Sequence, residues 1–214
     1  MIGLLAGPAF AQAQSNTDNS KFKQLQQELP TPNTYRTASG APGHEYWQQR
    51  ADYTIKVELD DKNQSIKGSE TITYTNNSPD VLTYLWVQLD QNIFEPNSMS
   101  NLTQTGQLNN RMSTQAVEYL TREKFDGGFK IEQVKDRSGK GLKYTINNTM
   151  MRIDLPSPLK PNQSFTFNID WKHNINNQKT LGGRSGYEYF PEDGNYLYEM
   201  AQWFPRMAVY DDVN

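Results

Sequence analysis

The feature that most constrains this chain is a two-residue alternation that returns in segment after segment. Tyr53, Ile55, Val57 and Leu59 alternate with Thr54, Lys56, Glu58 and Asp60. That period sends one set of side chains to a buried face and the other to water. Asp60-Asp61-Lys62-Asn63 is turn chemistry, because short Asp and Asn side chains bond nearby backbone groups. Ile66, Gly68, Ile72 and Tyr74 then share one face of a second strand, and Asn76-Asn77-Ser78-Pro79-Asp80 forms the next turn. From Val81 to Leu89 both faces are apolar: Leu85, Val87 and Leu89 on one, Tyr84 and Trp86 on the other. A strand of that kind belongs in a sheet interior. Short strands follow at Phe129 to Val134, at Leu142, Tyr144 and Ile146, and at Met151, Ile153 and Leu155, with Pro156-Ser157-Pro158 expected to end the last. The clearest strand sets Phe165, Phe167, Ile169 and Trp171 against Thr166, Asn168, Asp170 and Lys172. About seven such strands with turns between them specify an all-β fold, an antiparallel β-sandwich.

Little else is regular. A short helix is expected from Thr114 to Glu123. Residues 90–114 lack periodicity, and a loop that long inside a domain is usually functional or mobile. At 214 residues the chain suits one domain, or one and a half, and can bury a core without disulfides or metals. It has no cysteine, which removes thiol catalysis, Cys-based metal sites and a lipoprotein anchor. Its two histidines, His44 and His173, do not form a metal motif by spacing; His173 reads as a satisfied edge histidine. With 21 basic and 24 acidic residues and a net charge of −3, the chain is not a phosphate-neutralising nucleic-acid binder. The glycine cluster Gly182-Gly183-Arg184-Ser185-Gly186 lacks the Gly-Lys-Ser/Thr ending of a phosphate loop.

The N-terminus speaks to location. Ile2 to Phe10 is apolar but too short to span a bilayer. It ends in Ala9-Phe10-Ala11 and Ala11-Gln12-Ala13, the small-x-small pattern of a secretory cleavage site. The expectation is a signal peptide over residues 1–13, cut near Ala11 or Ala13, and a secreted or periplasmic protein. Residues 14–45, broken by Pro30, Pro32, Gly40, Pro42 and Gly43, read as a linker or disordered segment. Residues 46–214 read as the β-sandwich domain.

The C-terminal segment adds a hairpin turning at Asp193-Gly194, followed by Ala201-Gln202-Trp203-Phe204-Pro205-Arg206 and Tyr210-Asp211-Asp212. Taken with Tyr53 to Asp60 and Ile66-Lys67-Gly68-Ser69-Glu70-Thr71-Ile72-Thr73-Tyr74-Thr75-Asn76, this run resembles the N-terminal domain of the aminopeptidase N-like zinc metallopeptidases, in their secreted bacterial branch. The likeness covers roughly residues 46–212, with its pieces in the family's order. It implies the saddle-like N-terminal β domain of an enzyme that removes N-terminal residues from peptides. In that family a Gln or Glu of this domain reaches the active site and holds the substrate's free amine; Gln202 is the best match and Glu199 the second.

The family's chemistry needs His-Glu-x-x-His on a helix and a further Glu, which hold zinc and leave it an open position. This sequence contains neither that motif nor the family's Gly-x-Met-Glu-Asn strand. The resemblance therefore implies a non-catalytic domain cut before its zinc domain. Zinc would belong to the full-length enzyme, with no catalytic residue and no metal ligand in this chain. Its partners would be its own downstream catalytic domain and the peptide substrate, with no nucleic acid and no transmembrane segment. Arg206 with Asp211 or Asp212 is expected as a structural ion pair. The competing readings are a stand-alone sandwich that binds glycan or protein through Tyr84, Trp86 or Tyr187, and a purely structural envelope domain.

Overall fold

A computed structural model describes residues 32–103, 111–114, 117, 125–181 and 184–212. The expected signal peptide, and the expected linker as far as residue 31, lie outside the described residues. Thr114 and Val117 are helical; the rest of the helix expected there lies outside them.

The chain divides into two units. In the smaller, residues 32–48 carry a turn at Asn33, whose side-chain oxygen accepts from the backbone N–H groups of Tyr35 and Arg36. The Arg36 guanidinium grips Asp212 through two bonds of 2.7 Å and lies over the Tyr46 ring. That grip holds the Asp212 carboxyl below its usual range. Trp47 packs on Tyr210, ring centroids 5.5 Å apart.

The larger unit, residues 49–209, is the sandwich. Its first sheet has the order β1-β2-β7-β4: β1 Arg50–Asp60, β2 Ser65–Thr75, β7 Ser164–Asn174 and β4 Lys130–Asp136. The second runs β10-β3-β6-β5: β10 Arg206–Met207, β3 Leu82–Gln88, β6 Met150–Leu159 and β5 Tyr144–Asn147. All pairings are antiparallel. A separate ribbon joins β8 Gly186–Phe190 to β9 Asn195–Glu199, turning at Gly194, whose φ of +66° suits glycine. So the fold is all-β, as the alternation requires, and β3 lies inside its sheet.

Between the sheets lie Ile66, Ile72, Tyr74, Phe167, Ile169 and Trp171 from one side and Leu85, Val87, Met151 and Ile153 from the other, all buried. The alternation expected of β1 holds only through Ile55: Val57 and Leu59, expected on the buried face, are 51% and 43% exposed. The strand facing β1, β10, has two residues, and its Met207 N–H reaches Tyr53. The far end of β1 therefore goes uncovered.

One expected stop is not a stop: β6 continues through Pro156 and Pro158 to Leu159. Proline cannot donate to a ladder, so it survives only where no donation is needed. Beside these prolines the pairing with β3 slips from Tyr84 opposite Asp154 to Leu82 opposite Leu159, and β5 pairs only with Met150 to Ile153. The irregular register leaves room for residues without an N–H.

Asn76 ties the two sheets together, and Gly68 lets two strands of the first sheet pack closely. The Asn76 side chain, fully buried, donates to the carbonyls of Asp80 and Leu159 and accepts from Ser78 and Gln49. Gly68 lies opposite Trp171 in the β2–β7 ladder, and the indole occupies the space a Cβ would need. Gly68→Ala is expected to lower unfolding free energy by about 1–3 kcal/mol, the usual cost of overpacking. Chemical denaturation of the two proteins checks this; an unchanged midpoint would refute the packing argument.

Candidate functional site

The segment from Glu199 to Arg206 leaves β9, crosses one end of the sandwich and enters β10. Its backbone is held by side chains from elsewhere in the fold. The Gln91 amide, 6% exposed, donates to the carbonyl oxygens of Ala201 (3.0 Å) and Gln202 (3.2 Å). Ser185 Oγ accepts from the Ala201 N–H at 2.8 Å. His173, buried at the end of β7, has Nε2 3.2 Å from the Trp203 carbonyl and Nδ1 3.1 Å from that of Asn174. Burial pushes its pKa down, against the upward pull of the two carbonyls.

Packing fixes the rest. The Trp203 ring lies against Trp171 (5.9 Å) and Phe204 (5.0 Å), and Phe204 meets Tyr53 edge-on at 5.6 Å. Arg206 pairs with Asp90, at 2.8 and 3.3 Å, and the pair raises the arginine's pKa. This corrects the expected partners of Arg206. Asp212 is taken by Arg36, while Asp90 sits on the 3₁₀ turn Asp90–Phe94 directly after β3, where the β3–β10 register brings Arg206 opposite Gln88.

Gln202 emerges from this scaffold with a φ of +52°. That left-handed conformation is unusual for a residue with a Cβ and persists only when the surroundings enforce it. The enforcement is visible in Gln91, Ser185 and His173. The Gln202 side chain is exposed and has no hydrogen-bond partner among the described residues. It is not spent on the turn, whose backbone groups are met by other residues. Glu199, at the end of β9 opposite Gly186, is also exposed and unpaired among the described residues.

The loop can thus offer an amide oxygen from Gln202 and a carboxylate from Glu199. Among the described residues no three His, Asp or Glu side chains gather as a metal would require. Sequence reasoning missed Gln91 and Ser185. For Gln91 the one available signal was the aperiodic, amide-rich segment 90–114; Ser185, in the glycine cluster, had none.

The aromatic residues expected to bind ligand are dispersed. Tyr84 and Trp86 are on the outer face of the second sheet, edge to face at 6.1 Å, with the Arg152 guanidinium 4.1 Å over the Tyr84 ring. That contact covers one face of the Tyr84 ring. Tyr187 instead belongs to a four-tyrosine cluster on the β8–β9 ribbon, with Tyr189, Tyr196 and Tyr198.

No family model matches the chain, and no curated protein matches it. Among solved structures it is similar to the M1 zinc metallopeptidase of Deinococcus radiodurans, at 11% identity and a TM-score of 0.39, over 69% of this chain and 25% of that one. A mutant of that enzyme bound to a Tyr-Ser-Ala substrate, and a two-domain M1 zinc metallopeptidase mutant bound to L-tryptophan, give the same identity and TM-score over 26% of their chains. This chain spans about a quarter of their length. No helix among the described residues is long and apolar enough to cross a membrane.

Inside the sandwich lies a buried carboxyl. Glu70, on β2 between Ile55 and Ile169, is fully buried, and neither oxygen has a partner among the described residues. Burial pushes its pKa up from 4.5 to about 9, and its charge would act on the half-buried Tyr53 phenol. The folded chain therefore keeps the Glu70 proton at pH values where the unfolded chain has lost it. Stability from this group is full below about pH 4.5 and drains away as pH rises to about 9. Glu70→Gln removes that loss. We expect a melting midpoint at least about 4 °C above the parent at pH 8, and near parity at pH 4. Melts at the two pH values test it; an equal or lower midpoint for the variant at pH 8 would count against a buried, protonated Glu70.

Proposed function

We propose that this chain is the non-catalytic N-terminal β domain of a secreted zinc aminopeptidase, and that Gln202 helps hold the free amine of the peptide substrate. The observation that carries the reading is the Gln202 loop: a strained backbone pinned by Gln91, Ser185 and His173, presenting an unpaired amide. An ammonium group is all donor, and an amide oxygen with open lone pairs is a suitable acceptor. Glu199 adds a negative charge on the same connection. The sequence motifs that resemble the aminopeptidase N-like family support the same assignment, since this loop is the part of that domain that meets substrate.

Zinc and the catalytic groups belong, in this reading, to a domain downstream in the full-length enzyme, where the metal activates water for attack on the scissile carbonyl. The present residues do not hold it; they wall one side of the site and orient the substrate. A signal peptide over residues 1–13 would deliver the enzyme to the periplasm or outside the cell.

Three measurements test the proposal. The gene downstream of Asn214 is expected to encode His-Glu-x-x-His with a further Glu, and its absence would end the reading. In the enzyme so defined, Gln202→Ala is expected to raise KM for an aminoacyl reporter about tenfold, about one hydrogen bond to a charged group, while Gln202→Glu retains binding. An unchanged KM in Gln202→Ala would remove Gln202 from the site. Residues 1–214 alone should hydrolyse no reporter, with or without added zinc.

A further inference from the structure

We infer that the cleft between the β1–β2 turn, the end of β7 and the Tyr187 ring binds a neutral oligosaccharide. The cleft has a volume of about 380 Å³, in the range of small-ligand sites. Four amide side chains line it, from Asn63, Gln64, Asn174 and Asn177, together with the rings of Tyr187 and Phe125. Among the described residues no carboxylate, ammonium, guanidinium or imidazole lines it. A phosphate or carboxylate ligand would find no cation there, and an ammonium no anion. The walls suit a ligand that is polar and uncharged.

The amides are oriented in advance, because each is tied down by one end. Asn63 Nδ2 donates to Asp60 at 2.7 Å, Gln64 Nε2 to the Asp61 carbonyl at 2.6 Å, and Asn174 Nδ2 to the Asp126 carbonyl at 2.9 Å. Asn177 is held the other way round, its Oδ1 accepting from the Lys179 N–H at 3.0 Å. This leaves the acceptor ends of Asn63 and Asn174 and the donor end of Asn177 without partners among the described residues. Sugar hydroxyls both donate and accept, so a pair of neighbouring hydroxyls can use both kinds of end. Side chains already fixed by the fold lose little freedom on binding.

The apolar C–H face of a sugar ring needs a flat partner, and Tyr187 supplies one. Its ring is braced by Tyr196 at 5.9 Å and Tyr198 at 6.4 Å, so it keeps its orientation in the empty cleft. The inference uses no residue of the Gln202 loop and stands or falls independently of the peptidase reading.

The test is calorimetric titration of the full chain with cellotriose and, separately, chitotriose. We expect saturable binding of at least one, with a Kd below about 1 mM. Asn177→Ala and Tyr187→Ala should weaken it at least tenfold, and Tyr187→Phe should keep it. Asn63→Ala, at an exposed position, gives the same readout should Tyr187→Ala fail to fold. No saturation by either sugar overturns the inference. So does sugar binding that survives both Asn177→Ala and Asn63→Ala, or binding of the uncharged peptide N-acetyl-Ala-Asn-Ala-amide in place of the sugars.

Discussion

Everything in the sandwich depends on the antiparallel ladder between β2 and β7. It pairs all eleven residues of each strand, from Ser65 opposite Asn174 to Thr75 opposite Ser164, across a long stretch of sequence. Closing so long a loop costs entropy that local contacts do not repay. The compensation is the burial that follows: Ile66, Ile72, Tyr74, Phe167, Ile169 and Trp171 reach the same face at once. Gly68 permits it, because only a residue without a side chain lets the Trp171 indole lie flat on β2. From that indole the packing passes to His173, stacked on it at 5.8 Å, and to Trp203. The centre of the core and the loop that carries Gln202 are thus one continuous set of rings.

The regular part of this fold was legible because periodicity is a local signal. Phe165, Phe167, Ile169 and Trp171 alternate so strictly that no other element accommodates them. What escaped was non-local. Pro156 and Pro158 look like a stop, and only the slipped register with β3 shows why the strand survives them. Arg206 looked bound to the acids a few residues ahead, yet Asp90 takes it, more than a hundred residues earlier.

Glu70 is the sharpest case. Period two puts it on the same face as Ile66, Gly68, Ile72 and Tyr74, whereas a carboxylate belongs in water. The period wins, and the residue adapts by keeping its proton. A group that must stay neutral to stay buried is an unusual thing to find in a strand that the whole sandwich is built on. The candidate site was half legible. The motif singled out Gln202 and Glu199, but the residues that hold the backbone around Gln202, namely Gln91, Ser185 and His173, act on carbonyl and N–H groups, which carry no sequence signature.

That division of labour has an evolutionary consequence. Because the connection from β9 to β10 is gripped by its main chain, the side chains at positions 199 and 202 contribute nothing to holding it in place. Position 199 can be exchanged while the supporting residues stay fixed, and position 202 among residues that accept a left-handed backbone. Selection can then change the chemistry this surface presents one substitution at a time, without first destabilising the scaffold, a separability that surfaces built on their own side-chain contacts do not have.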